Sequence, residues 1–196
     1  MTVEQHTYWR QRWEEGKTGW DRGGASPALL RWLEGGLMPP GRILLPGCGN
    51  GYEVDVLAEH GFRVTALDIV PEPLAALRAR LAERGLDAEV IEGDVFTYTS
   101  PEGPFDAVYE QTCLCAFDPA LRSDYAERIR QWVRPGGTLY ALFAQTPWRN
   151  GPPFHSPPEQ MRTLFTDADW VWPAEADFTV PHEAGFHELG YRLQRR

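Results

Sequence analysis

The chain has 196 residues, 42% hydrophobic and 24% charged, a length and balance that fit one globular domain with a substantial core. Its 28 acids outnumber its 19 bases for a net charge of −9, which argues against a protein that tracks nucleic-acid phosphates. No apolar run reaches the roughly 18 residues of a membrane span and no signal peptide is read, so a cytoplasmic chain with neither membrane nor nucleic-acid partner, most simply a monomer, is expected. The three cysteines, Cys48, Cys113 and Cys115, are odd in number and form no C-x-x-C, so neither a disulfide framework nor a metal site is expected. Cys113 and Cys115 read as small buried residues.

In chain order, residues 4–15 predict a helix with Tyr8, Trp9, Arg12 and Trp13 on one side. A glycine-rich loop over 16–26 contains Trp20-Asp21, and Pro27 opens a second helix to about 34. A strand over 42–45 runs into a glycine turn and a helix over 52–60, stopped by Gly61. A second strand at 63–67 precedes a helix at 73–84 with Leu74, Leu77 and Leu81 at helical spacing, capped by Gly85. Strands follow at 88–92 and 105–110, a helix at 119–133, a turn at 134–137 and a strand at 138–143. Further strands are expected at 177–180 and 187–194. This alternation predicts an α/β fold, a doubly wound, mostly parallel seven-stranded Rossmann-like sheet. Residues 1–40 form an N-terminal helical lid and 41–196 the core of a single domain. The basic residues from Arg122 to Arg134 alternate with acids and read as a solvated helix face.

The most informative segment is Pro46-Gly47-Cys48-Gly49-Asn50-Gly51-Tyr52, followed by Asp68. Three glycines let the backbone approach a bulky ligand, and an acid about 20 residues on can accept both ribose hydroxyls. Tyr52 stands where a dinucleotide site has its third glycine. The G-x-G-x-G form resembles motif I of class I S-adenosylmethionine (SAM) methyltransferases, and it counts against a nicotinamide-dependent oxidoreductase. Ligands of such sheets bind at the carboxyl ends of strands. Four strand tips carry Gly47, Asp68, Asp94 and Glu110-Gln111, so one site is expected to collect them. Asp94 is expected to face an adenine amine, with Val95 and Phe96 on the ring. Glu110 and Gln111 face the methionine end or the acceptor, and a lid built from Trp9 and Trp13 would put π density near a sulfonium.

The ordered set Trp9-x-x-x-Trp13-Glu-Glu-Gly-Lys-Thr-Gly-Trp20-Asp21, Leu45-Pro-Gly-Cys-Gly49, Phe105-Asp-Ala-Val-Tyr-Glu110, Cys115-Ala116 and Gly151-Pro-Pro-Phe154 resembles the thiopurine S-methyltransferase family. The likeness runs from Trp9 to Phe165 and is nearest to the thiol/halide branch. The resemblance implies SAM as cofactor, S-adenosylhomocysteine as product, and a soft nucleophile as acceptor. It implies cofactor contacts from Trp9, Trp13, Gly47, Gly49, Asp68, Asp94 and Val95, and an aromatic beside the acceptor at Trp20. Phe154 in the Gly-Pro-Pro-Phe loop joins the acceptor side. Thiopurine-acting members have an arginine where this chain has Gln111, which shifts the expectation toward thiolates, bisulfide and halides. Arg149 is the candidate replacement cation.

A soft nucleophile needs little proton chemistry, because the thiolate is the reactive species. No dedicated base is expected, and His155 reads as a loop residue. Alignment and water exclusion would carry catalysis. An oxygen, nitrogen or metalloid acceptor, with Glu110 as base, stays open, as does a SAM binder without catalysis.

Overall fold

The computed structural model describes residues 3–196, apart from the side chain of Val3, so the first two residues of the expected lid lie outside the described set. The chain divides into two compact units, residues 1–98 and 99–196.

The first unit holds α1 (Val3–Glu14), α2 (Pro27–Glu34), β1 (Arg42–Pro46), α3 (Tyr52–Glu59), β2 (Arg63–Asp68), α4 (Pro71–Arg84) and β3 (Glu89–Glu92). Its strands are parallel in the order β3-β2-β1, with Leu44 opposite Thr65 and Ala66 opposite Val90. β1 and β2 are nearly continuous apolar runs, as strands covered on both faces require. α2 begins where Ser26 Oγ accepts from Ala28 N, with Pro27 in its first turn. It buries Ala28, Leu29 and Trp32. α4 buries Pro73, Leu74, Leu77 and Leu81 and ends at Gly85, whose φ of 64° closes the helix.

The second unit holds β4 (Phe105–Gln111), α5 (Arg122–Trp132), β5 (Val133–Gln145), α6 (Pro158–Leu164), β6 (Trp170–Val171), β7 (Phe178–His182) and β8 (Phe186–Arg195). Short 3-10 turns at Leu114–Ala116 and Pro119–Leu121 lead into α5. β4 and β5 are parallel, and β8 runs antiparallel to β5, β6 and β7. The turn expected at 134–137 lies inside β5 as a bulge: Phe105 pairs with Val133, but Ala107 pairs with Thr138. Gly136 takes φ 75° there, and Cβ on Gly137 would lie 2.7 Å from Asp106 O.

Eight strands occur among the described residues, one more than the sequence predicts. The addition is two-residue β6, too short for a period-2 pattern. α6 is also unforeseen, because its seven residues follow a proline-rich stretch that reads as loop.

Candidate active site

The first unit carries the glycine turn. Gly47, Gly49 and Gly51 all have positive φ, 63°, 52° and 62°. Gly51 has a second constraint: a Cβ there would sit 2.7 Å from Leu77 Cδ2 on α4. Side chains are thus excluded by conformation throughout and by packing at one end.

Asp68 ends β2 with both carboxylate oxygens turned to backbone donors. Oδ2 accepts from Gly49 N at 2.8 Å and Oδ1 from Val70 N at 2.9 Å. It therefore ties the turn to the strand tip and steadies the start of α4. Each oxygen keeps a further lone pair for a ligand hydroxyl. Burial pushes its carboxyl up, opposed by the hydrogen bonds from Val70, Gly49 and Ile69 N–H groups. The tip of β3 joins β2 through Gly93 N donating to Asp68 O at 2.8 Å. Asp94 folds back to accept from Phe96 N at 2.8 Å, and its other oxygen lies 3.5 Å from His6 Nε2 on α1. Val95 is buried. Burial first, then Asp68 and Glu53, push the Cys48 thiol well up, which disfavours its thiolate.

The N-terminal segment closes on this turn. The Trp13 ring is 3.4 Å from where a Cβ on Gly49 would be. Trp9 and Trp13 each meet Trp20 edge-on, at 5.3 and 5.8 Å between ring centroids. Trp20 is returned to α1 by its neighbour Asp21, which accepts from Gly23 N at 2.8 Å and from Asn50 Nδ2 at 2.7 Å. Tyr52 lies against the same carboxylate, OH to Oδ2 3.4 Å. From the other side Arg80 donates to Asn50 O and Gly51 O at 2.7 and 3.1 Å, and Asp55 anchors it at 2.6 Å. The roles of Asp21, Asn50 and Arg80 escape sequence reasoning, because each acts across 25 residues or more.

In the second unit, β4 ends in Glu110 and Gln111. Glu110 is 1% exposed, and its Oε1 accepts from Cys113 N and Leu114 N at 3.1 and 2.6 Å. It shapes the turn after β4. Burial raises its carboxyl to about 7, helped by nearby Glu188 and opposed by those hydrogen bonds and Arg122. Gln111 Oε1 accepts from Tyr109 OH at 3.0 Å, and among the described residues its amide nitrogen has no partner. Thr112 has φ 57°, the one positive value outside glycine among the described residues, a strained conformation of the kind that clusters at functional tips.

The Gly-Pro-Pro-Phe loop is held tightly. Phe154 N donates to Cys115 O at 2.7 Å, Thr146 N to His155 Nδ1 at 3.1 Å, and Trp148 Nε1 to Pro153 O at 3.0 Å. A Cβ on Gly151 would fall on the Phe154 ring. Arg122 holds the loop from beneath, donating to His155 O, Phe154 O and Ser156 Oγ at 3.0 to 3.3 Å. Arg122, 3% exposed, is the exception to the solvated face read over 122–134, where Asp124, Glu127 and Arg134 are exposed. Its spacing to buried Tyr125, Ala126 and Ile129 is the i, i+3, i+4, i+7 signal that charge alternation hid. Cys113 and Cys115 are buried and outside any disulfide, as expected.

The structure therefore gathers Trp9, Trp13, Trp20, the three glycines and Asp68 about one turn, and Asp94 is tied back to α1. In the second unit it joins Phe154 to the loop after β4. Arg149 stays exposed and makes no hydrogen bond or ion pair among the described residues. Among those residues no group of three or more His, Cys, Asp or Glu is placed to hold a metal ion. No helix among them is long and apolar enough to cross a membrane.

The strands, helices and glycine turn are those of a class I SAM-dependent methyltransferase fold. Two solved structures share it: 1,6-didemethyltoxoflavin-N1-methyltransferase of Burkholderia thailandensis with bound 1,6-didemethyltoxoflavin and S-adenosylhomocysteine (TM-score 0.77, 24% identity, 97% of this chain and 86% of that one), and magnesium protoporphyrin IX methyltransferase of Synechocystis with bound SAM (TM-score 0.76, 14% identity, 100% and 99%). Within that class, the model of the thiopurine S-methyltransferase family matches residues 4–194, and the chain belongs to that family. It is similar to a probable thiol methyltransferase 2 of Arabidopsis thaliana, 33% identical over 147 residues, 74% of this chain and 65% of the plant protein. It is also similar to a thiopurine S-methyltransferase of Xanthobacter autotrophicus, 31% identical over 193 residues, 89% of each chain. The chain thus spans just under two thirds of the length of the plant relative.

Proposed function

We propose that this protein transfers the methyl group of SAM to a small soft nucleophile, a thiolate, bisulfide, halide or thiopurine, by in-line displacement. The observation that carries the reading is Asp68 bonded to Gly49 N at the tip of β2, on a turn of three positive-φ glycines. That cradle suits a nucleoside: Cβ groups are excluded around it and a carboxylate stands at its edge. Trp9, Trp13, Gly47, Gly49 and Asp68 would hold the cofactor, with Asp94 and Val95 on the adenine and Glu110 shaping the methionine side. When bound, SAM supplies a methyl on a sulfonium and leaves as S-adenosylhomocysteine.

The chain's own residues exclude water and align. Trp13 covers the glycine turn with Trp20 edge-on behind it, and Trp20, Gln111, Phe154 and Arg149 would face the acceptor. The free amide of Gln111 supports an anion more readily than a purine that demands a guanidinium. The protein is taken to act as a cytoplasmic monomer on small molecules. No base is assigned for soft acceptors. A second reading, an oxygen or nitrogen acceptor, is favoured by one observation: Glu110 at the tip of β4 holds its proton to about 7.

The test is S-adenosylhomocysteine formation with bisulfide, iodide and a thiopurine in parallel. Fast turnover of the small anions supports the thiol/halide reading. Preference for the thiopurine overturns the role of Gln111. No product from any of them, with SAM still bound, removes the soft-acceptor reading.

A further inference from the structure

A protein of net charge −9 repels the anions proposed as its acceptors unless a cation is presented locally. The basic side chains of the N-terminal segment differ sharply in whether they can do this. Arg10 lies 3.4 Å from Glu72 and 3.9 Å from Glu14, and Lys17 lies 2.7 Å from Glu15, so their charges are already answered. Arg12 has no ion pair among the described residues. Its guanidinium instead rests against two rings, 5.9 Å from the centroid of Tyr8 and 5.7 Å from that of Trp20. Its Nε is buried with no hydrogen-bond partner. A buried donor without an acceptor is costly, and a ligand that supplies negative charge removes the cost.

The placement follows from the sequence. Tyr8 and Arg12 are i, i+4 neighbours on α1, one turn apart on one face. Trp20 comes back onto that face because Asp21 is tied to Asn50 of the glycine turn. The same helix sets Trp13 on Gly49. A guanidinium with no hydrogen bond or ion pair, answered only at longer range by Glu15, is thus fixed beside Trp20, one residue from the ring that touches the glycine turn. Aromatic contact orients the cation and displaces its water without cancelling its charge.

Resting on the reading above, we propose that Arg12 is the anion-selecting residue for the methyl acceptor: its guanidinium, clamped between Tyr8 and Trp20, binds a singly charged soft anion beside Trp20. It places a cation on the face of α1 that meets Trp20. Arg12 positions and selects; it takes no proton.

The experiment compares wild type, Arg12→Gln, Arg12→Lys and Arg10→Gln. KM and kcat are measured for thiocyanate and iodide, the Kd of SAM by titration, and thiocyanate binding by calorimetry on protein loaded with S-adenosylhomocysteine. Arg12→Gln is expected to raise KM for both anions and the Kd of thiocyanate about tenfold. Its kcat stays within threefold and its SAM Kd within twofold. Lysine recovers part of the loss, since charge persists but the planar stacking does not. Arg10→Gln, which removes an already paired charge from the same helix, leaves the anion KM within twofold. Unchanged anion KM and thiocyanate binding in a folded Arg12→Gln would overturn the proposal. So would a rise confined to the SAM Kd, which would assign the cation to the cofactor carboxylate. If wild type methylates neither anion, the soft-acceptor reading fails, yet calorimetry still decides: thiocyanate bound by wild type and lost in Arg12→Gln supports the site, and no binding by wild type overturns it.

Discussion

The carboxylate of Asp21 accepts from Asn50 Nδ2 at 2.7 Å, joining the loop after α1 to the middle of the glycine turn. This one bond, across 29 residues, sets where Trp20 stands relative to Trp9 and Trp13. Asp21→Ala removes it together with the acceptor for Gly23 N. SAM affinity is expected to fall about tenfold, a loss of roughly 1.4 kcal/mol, as for a charge-assisted hydrogen bond. Thermal stability should change little, because the loop is partly exposed. A SAM titration beside a melting curve checks both.

The segment from Trp9 to Asp21 buries few side chains and leans on edge contacts, so it should open readily and tighten when cofactor fills the turn. Limited proteolysis should cut it faster without SAM than with it. Equal rates would show that the lid does not respond to cofactor.

Gly51→Ala meets two obstacles, a left-handed φ of 62° and Leu77 Cδ2 at 2.7 Å. The conformation alone costs about 1–2 kcal/mol. Denaturant unfolding should show at least that loss. Gly49→Ala carries the strain but only a 3.4 Å approach to Trp13, so it should lose cofactor affinity out of proportion to stability.

Asp68→Asn keeps the shape of the side chain but replaces an acceptor oxygen with a donor facing either Gly49 N or Val70 N. One backbone N–H is left facing another N–H, at a cost of about 1–3 kcal/mol. SAM affinity and stability should therefore fall together, by titration and by urea unfolding. A variant that lost only affinity would show that the carboxylate serves the ligand alone.

Glu110 holds its proton to about 7 against 4.5 for a free carboxyl, through burial first and the charge of Glu188 second. A raised carboxyl stabilises most fully below the unfolded value, and that contribution is lost as pH rises through about 7. Glu110→Gln keeps an acceptor for Cys113 N and Leu114 N but cannot ionise. Its stability relative to wild type should rise from pH 4.5 to about 7 and level off above that, at up to roughly 1.4 kcal/mol per pH unit. Paired urea titrations across that range check the sign.

What could be read in advance was local. The glycine turn and Asp68 belong to a strand-turn-helix-strand unit whose spacing is set by chain geometry, so residue types at fixed offsets reveal it. The helices with Leu74, Leu77 and Leu81, and the alternating last strand, likewise announce themselves by period. Arg122 marks the limit of such reading. Its periodicity was that of a buried position, but its charge suggested water, and only the carbonyls of Phe154 and His155 explain the burial.

The sequence by itself therefore determined the class of fold, the glycine turn with its strand-tip acid, and the family. The tertiary structure alone decided which long-range pairs complete it: Trp13 on Gly49, Asp21 on Asn50, Arg80 on the turn and Arg12 between Tyr8 and Trp20. The reason is physical. Propensity and period act over a few residues, whereas a buried charge or an aromatic contact is settled by whatever partner the folded chain returns from far away.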